Sequence, residues 1–228
     1  MNPGRDLLAE IAAALAGNGL ILRGGFNFGA QDSPPPGPSG APAGAAVLVG
    51  QAGAAAWPHF LDWRSRQSVG LADPLDSWSR DVIGAVARRF GARAVGPNDK
   101  PFLPFQQWAM RAEGLRPSPL GILMHPHYGL WHAYRGVLLF DRELSFPQRD
   151  EVVHLCDGCV EKPCLKSCPV DAYSRGGFAY QACLSHVRGS DGGACRTVGC
   201  LDRNACPYGT AYRYPADMQA FHMAAFAR

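Results

Sequence analysis

The sequence predicts an α+β protein in two parts, and three observations carry that reading. All eight cysteines fall in the last 73 of the 228 residues. The cysteine-free part mixes helical stripes, such as Leu7, Leu8, Ile11 and Leu15, with short β-type runs such as Ala46–Val49. The cysteine-bearing part has little apolar patterning, as a segment does when metal–thiolate bonds replace much of its core. The expected division is a first domain over residues 1–147 and a second over 148–228.

Element by element, Leu7 to Leu15 reads as a helix stopped by Gly17 and Gly19, with a strand at Leu20–Leu22. Gly24-Gly25-Phe26-Asn27-Phe28-Gly29 reads as a loop with accessible backbone. Residues 32–44, nearly all Pro, Gly, Ala and Ser, read as a mobile loop. A strand at Ala46–Val49 and a helix at Trp57–Arg66 follow. The clearest helix starts at Asp73 as N-cap with Pro74 in its first turn. Its apolar stripe is Leu75, Trp78, Val82, Val86 and Phe90, and Gly91 stops it. Ala92–Val95 suits a strand and Phe102–Glu113 a helix. Gly121–Met124 and Trp131–Phe140 read as strands joined by a turn over residues 125–129. Tyr212 to Phe226 reads as an aromatic-rich helical tail.

Composition removes several classes of function. A net charge of +3 with both signs interspersed leaves no nucleic-acid footprint. No apolar run approaches the roughly 18 residues of a membrane span. Asp6 and Glu10 break any secretory signal pattern at the N-terminus. A cytoplasmic protein is expected, and there dense cysteines are more often metal ligands than disulfides.

The cysteines read Cys156-x2-Cys159-x4-Cys164-x3-Cys168-Pro169, then Cys183, Cys195, Cys200 and Cys206-Pro207. Eight thiolates suffice for two [4Fe–4S] clusters. A proline after the last cysteine marks the bacterial ferredoxin run, whose fourth cysteine ligates the other cluster. That crossover assigns Cys156, Cys159, Cys164 and Cys206 to one cluster, and Cys168, Cys183, Cys195 and Cys200 to the other. A pair of all-cysteine zinc sites is the structural alternative. The second run lacks a CxxCxxC core, and the first has four residues between its second and third cysteines. These loops resemble those of redox-enzyme iron–sulfur subunits and the C-terminal part of epoxyqueuosine reductases, which pair two cubanes with a cobalamin-binding domain.

That resemblance directs attention to residues 121–137. There Gly121, His125, Pro126, Tyr128, Gly129, Trp131, Arg135, Gly136 and Val137 match the pattern Gly-x3-His-Pro-x-aromatic-Gly-x-Trp-x3-Arg-Gly-Val. This strand resembles the core of the CblC family, whose members bind cobalamin and remove its upper axial ligand. Asp73-Pro74-Leu75-Asp76, the loop with Gly25, Phe26 and Asn27, and Pro97-Asn98-Asp99-Lys100-Pro101 resemble further family segments in the same order. The resemblance spans about residues 20–140. It implies a nitroreductase-like sheet with flanking helices, shared with epoxyqueuosine reductases, joined here to a small bacterial-ferredoxin-like domain.

What the resemblance implies for function follows. Gly25, Phe26, Asn27, Gly121, His125, Pro126, Tyr128, Gly129, Trp131 and Arg135 would form the cobalamin site. Tyr128 and Trp131 would be flat walls, and Trp131 and Arg135 would act on the bound corrin or its co-substrate. The plainer alternatives are that His125 and His127 close a turn, that Trp131 is core, and that Arg135 is a paired structural arginine. Arginines that bind glutathione in animal members have no counterpart after this strand, and the cysteine segment stands in their place. The expected function is therefore an oxidoreductase: an iron–sulfur-dependent cobalamin reductase, with cobalamin as ligand or substrate. An electron donor such as a reductase would supply it, and an acceptor protein could take the product. The alternatives are a cobalamin-dependent reductase of an organic substrate, and a non-enzymatic electron-transfer or cobalamin-delivery protein.

Overall fold

The computed structural model describes residues 3–148, 151–174 and 176–228, with the side chains of the first helix described from Leu7 onward. Helix α1 (Pro3–Ala16) buries Ile11 and Leu15, as the stripe predicts. Strand β1 (Ile21–Asn27) runs on through the glycines expected to form a loop. It pairs antiparallel with β2 (Ala45–Ala52), and a register shift between Leu22 and Gly25 absorbs the glycine pair. The intervening 32–44 segment is tied down rather than loose. Pro36 and Pro42 bridge, Arg93 donates to the Pro36 carbonyl (2.6 Å), and the Asp141 carboxylate accepts the Ser39 N–H (3.2 Å). Proline and glycine serve ordered turns here because distant groups satisfy their backbone.

Helices α2 (Trp57–Ser65) and α3 (Pro74–Arg89) follow. Leu75, Trp78, Ile83 and Val86 are buried along α3, while Val82 is only half-buried. Asp73 is the N-cap, as expected, and its carbonyl accepts the Ser77 N–H (3.0 Å), but it is left-handed (φ 43°) and its side chain makes no capping bond. Strand β3 (Arg93–Val95) and helix α4 (Phe105–Glu113) come next, α4 starting after Pro104 rather than at Phe102. Two short strands, β4 (Arg116–Pro117) and β5 (Leu123–Met124), pair antiparallel. β6 (His132–Phe140) enters the main sheet, whose order is β1–β2–β6–β3. The cysteine segment holds the hairpin β7 (Tyr173–Ser174) and β8 (Gly177–Phe178), then the short helices α5 (Tyr180–Arg188), α6 (Gly193–Val198) and α7 (Leu201–Ala205). Helix α8 (Ala216–Phe226) closes the chain, beginning after Pro215.

The chain divides into two compact units, Met1–Gly114 with Ala133–Glu151, and Leu115–His132 with Val152–Arg228. The division differs from the expected boundary at residue 147, because Leu115–His132 belongs with the cysteine segment. Packing is the reason: Leu120, Met124 and Leu130 form one buried cluster with Cys164 and Cys206. Apolar side chains of the His-Pro hairpin thus supply the core that a cysteine-rich segment lacks. Among the described residues, no helix is long and apolar enough to cross a membrane.

Candidate functional site

The first quartet is built from two loops. Cys156, Cys159 and Cys164 lie on a tight run in which Cys159 N–H reaches the Cys156 carbonyl (3.4 Å) and Lys162 Nζ donates to the same carbonyl (2.9 Å). Lys162 is left-handed, and Pro163–Leu165 form one 3-10 turn that directs Cys164 inward. Cys206 arrives from the end of α7. These four cysteines line one small cavity with Pro163, Pro207, Met124 and Leu130. Burial and the neighbouring Cys206 and Cys164 thiols push the Cys156 thiol up to about 11. Cys164 and Cys206 are also raised, burial again first, while the Tyr208 N–H works the other way on Cys206.

The second set comprises one residue from each of four places: Cys168 at the end of the first run, Cys183 on α5, Cys195 on α6, and Cys200 ahead of α7. Burial first, then Cys200, Cys168 and Cys195, raise the Cys183 thiol to about 11. Burial raises Cys195 and Cys200 as well, and Cys168 adds to both. Backbone N–H groups oppose this: Ala172 N–H points at Cys168 Sγ (3.4 Å), and those of Arg203 and Asp202 at Cys200. Among the named causes, Cys156 is raised by Cys159, Cys164 and Cys206, and Cys183 by Cys168, Cys195 and Cys200. Such N–H···S bonds are what a thiolate-bound cluster requires of its surroundings, so the donor set fits. Among the described residues, no three His, Cys, Asp or Glu side chains converge tightly enough for one metal ion.

The His-Pro turn stands beside the first quartet. His125 N–H and Gly129 N–H exchange bonds with each other's carbonyls (both 3.0 Å). His125 Nδ1 accepts the N–H groups of His127 (3.1 Å) and Tyr128 (3.2 Å), and its ring stacks on Tyr128 at 4.1 Å. His125 is thus engaged in closing the turn. His132, absent from the expected site, is buried and its Nε2 meets the Leu123 carbonyl at 2.8 Å. Gly129 (φ 58°) and Gly209 (φ 67°) touch backbone to backbone: a Cβ on Gly129 would lie 2.3 Å from the Tyr208 carbonyl oxygen, and one on Gly209 2.3 Å from that of Tyr128. The turn after Cys206 and the His-Pro turn are therefore one packed unit. Gly121 is exposed and its N–H closes a turn on the Ser118 carbonyl (2.9 Å); Pro126 is half-buried.

Trp131 departs from its expected role as a cavity wall. It is fully buried, with Tyr214 edge-on at 5.4 Å and the Arg203 guanidinium over its ring at 4.4 Å. Arg203 also donates to the Leu130 carbonyl (2.6 Å), so α7 holds the Leu130–Trp131 segment through this hydrogen bond and cation–π pair.

In the other unit, half-buried Arg135 donates from Nε to Gln51 Oε1 (3.0 Å), and buried Gln51 is itself held by the Gly53 carbonyl (3.3 Å). Gln51 lies on the adjacent strand β2, and nothing in the linear pattern marked it. Gly25, Phe26 and Asn27 were expected to approach the ligand, but protein groups occupy the places available to them. A Cβ on Gly25 would stand 2.3 Å from the Phe146 ring. Phe26 is buried beneath the Arg111 guanidinium (4.2 Å), and Asn27 exchanges two 2.9 Å bonds with the Leu144 backbone.

No protein-family model matches this sequence, and no curated protein matches it. Solved structures do. A C. elegans B12-trafficking protein, CblC, aligns over 96% of this chain and 92% of its own at 12% identity, with a TM-score of 0.55. That coverage runs into the cysteine-bearing segment. An epoxyqueuosine reductase from Streptococcus thermophilus aligns over 76% of this chain at 18% identity and a TM-score of 0.50. The chain spans about half the length of the epoxyqueuosine reductases it matches, 51% in that case. The mixed helix-and-sheet fold is thus similar to that of CblC and of epoxyqueuosine reductase.

Proposed function

We propose that this protein is an iron–sulfur-dependent, cobalamin-processing reductase. The observation that carries the reading is the Gly129–Gly209 contact, which packs the CblC-like turn onto the turn that delivers Cys206 to a thiol quartet. Bound at the two quartets, [4Fe–4S] clusters would supply single electrons over the range of roughly −700 to +450 mV open to such centres. The chain's own residues position and tune. Backbone N–H groups aimed at Cys168, Cys200 and Cys206 set the electronic environment of the thiolates. Gln51 fixes the Arg135 fork toward one orientation, suited to an anionic group or to the polar rim of a corrin. Cobalamin is the substrate: one electron delivered to its cobalt(III) weakens the axial bond, leaving cobalt(II) and releasing cyanide as the anion. A reductase would recharge the protein, and an acceptor protein would take the product.

The test is anaerobic. Protein reduced with dithionite and desalted is mixed with cyanocobalamin or hydroxocobalamin, and the cobalt and cluster bands are followed together. Cobalt reduction matched by cluster bleaching is expected. Iron-loaded protein that neither binds nor reduces cobalamin would overturn the reading, as would a colourless protein holding two zinc ions. Turnover beyond one equivalent with excess reductant separates an enzyme from a carrier. Cobalamin retained through turnover of an organic substrate would favour the epoxyqueuosine-reductase-like alternative.

A further inference from the structure

Four residues of the cysteine-bearing unit meet in one cluster: Trp131, Arg203, Arg213 and Tyr214. The Arg203 guanidinium lies 4.4 Å from the centre of the Trp131 ring and 4.7 Å from that of Tyr214, and the two rings stand edge-on at 5.4 Å. The Arg213 guanidinium is 5.8 Å from the same Trp131 ring. Trp131 and Tyr214 are 0% and 3% exposed. Even so, the Trp131 Nε1–H, the Arg203 Nε–H and the Tyr214 hydroxyl are buried with no hydrogen-bond partner. The bonds that the two arginines do make go to neutral carbonyls, Arg203 to Leu130 (2.6 Å) and Arg213 to Asn204 (2.7 Å). Among the described residues, no carboxylate pairs with either guanidinium.

Buried donors left unmatched are costly, and in a folded protein they mark a place for water or an ion. Two N–H donors and a hydroxyl stand here together, beside two positive charges that no acid offsets. Water would satisfy the donors but not the charge. An oxyanion satisfies both. Two guanidiniums match the charge of a phosphate group, about −1.5 to −2 at neutral pH. Their fixed forks suit its oxygens, and the indole and phenol each add one donor. We propose that Trp131, Arg203, Arg213 and Tyr214 form a binding site for a small phosphate-type oxyanion, approached past the exposed Arg213. The burial of the donors favours a small ion over the end of a large ligand. Bound there, the ion ties together three segments distant in sequence: Trp131 just before β6, Arg203 on α7, and Arg213–Tyr214 ahead of α8. The proposal does not depend on which metal the cysteines hold.

The experiment dialyses full-length, anaerobically purified protein to equilibrium against labelled inorganic phosphate, with ionic strength held constant by chloride. One phosphate per chain is expected at saturation, displaced by sulfate but not by acetate. The urea unfolding midpoint should rise with phosphate as the site fills. Arg213→Gln should weaken binding by about tenfold or more, since it removes a charged donor. Tyr214→Phe keeps the ring packing, loses only the hydroxyl, and should weaken binding by about tenfold. Far-UV circular dichroism establishes that each variant is folded. If Tyr214→Phe folds poorly, Arg213→Gln carries the test, because that side chain is exposed. Absence of saturable phosphate binding would overturn the proposal. So would binding unchanged in folded Arg213→Gln protein, or displacement of phosphate by acetate.

Discussion

Gly129 lies so close to Tyr208 that a single added carbon would sit 2.3 Å from the Tyr208 carbonyl oxygen. The neighbour is backbone and has no rotamer to move, and Gly129 is left-handed at φ 58°. Gly129→Ala combines left-handed strain with overpacking, about 2–5 kcal/mol together. Chemical denaturation should show that loss, and iron retention should fall with it, since the Tyr208 turn delivers Cys206. A Gly129→Ala protein with wild-type stability and iron content would mean that the two turns are not packed as one.

Gln51 is the partner through which Arg135 would act. Truncating it removes a hydrogen bond to a charged donor, worth about 1.5–3 kcal/mol. Gln51→Leu should cut the rate of cobalamin reduction by roughly 10- to 100-fold if that energy is spent on orienting Arg135 in the transition state. Arg135→Ala should do the same, and the double variant should be little worse than either, because the two residues share one interaction. Arg135→Lys should not rescue, since an ammonium cannot present the fork. Additive losses would separate the two residues.

The two quartets make distinct claims about metal loading. Cys156→Ser or Cys206→Ser should remove one spectroscopically distinct cluster and leave the other, whereas Cys183→Ser or Cys195→Ser should remove the other. Cys168→Ser should group with Cys183, despite sharing a sequence run with Cys156, because the Cys168 thiol is among the causes that raise Cys183, Cys195 and Cys200. Electron paramagnetic resonance of reduced protein, with iron counts near half of wild type, is the measurement. If Cys168 grouped with Cys156, the crossover assignment would fail.

Periodic and local features of this molecule were legible in its sequence; features that depend on distant partners were not. The stripe Leu75, Trp78, Val86 faces the core because helix geometry alone fixes which residues share a side. The cysteine grouping expected from the Cys-Pro endings and short spacings stays a proposal that the cysteine variants test. Gly25, expected in a loop at the ligand, lies instead on β1, where a Cβ would meet the Phe146 ring, a partner far along the chain. Asp73 was legible as the N-cap position, but its left-handed backbone comes without the side-chain capping bond its residue type favours. Gln51 gave no signal, because it takes its meaning from a partner 84 residues away. The His-Pro hairpin joined the cysteine unit for the same reason: Leu120, Met124 and Leu130 pack against Cys164 and Cys206, which lie far along the chain.

A last prediction concerns the scaffold rather than the chemistry. Arg23 on β1 is 1% exposed and forms a two-bond pair with Glu113 at the end of α4, both at 2.9 Å. Tyr134 completes the network, donating to the Glu113 carboxylate while its ring lies under the guanidinium at 4.6 Å. Burial raises the Tyr134 pKa far above its ordinary value, so the phenol remains a neutral donor across the accessible pH range. Removing the carboxylate strands a buried guanidinium, which costs about 3–5 kcal/mol. Glu113→Ala should therefore destabilise the first unit severely, and Glu113→Gln less, because the amide oxygen still accepts. Four of the five tryptophans, Trp57, Trp63, Trp78 and Trp108, belong to that unit, so fluorescence-monitored urea unfolding reads it directly. Iron content in native buffer should stay near wild type, because all eight cysteines lie in the other unit. Iron loss in step with the fluorescence change would show that the two units fold as one cooperative body.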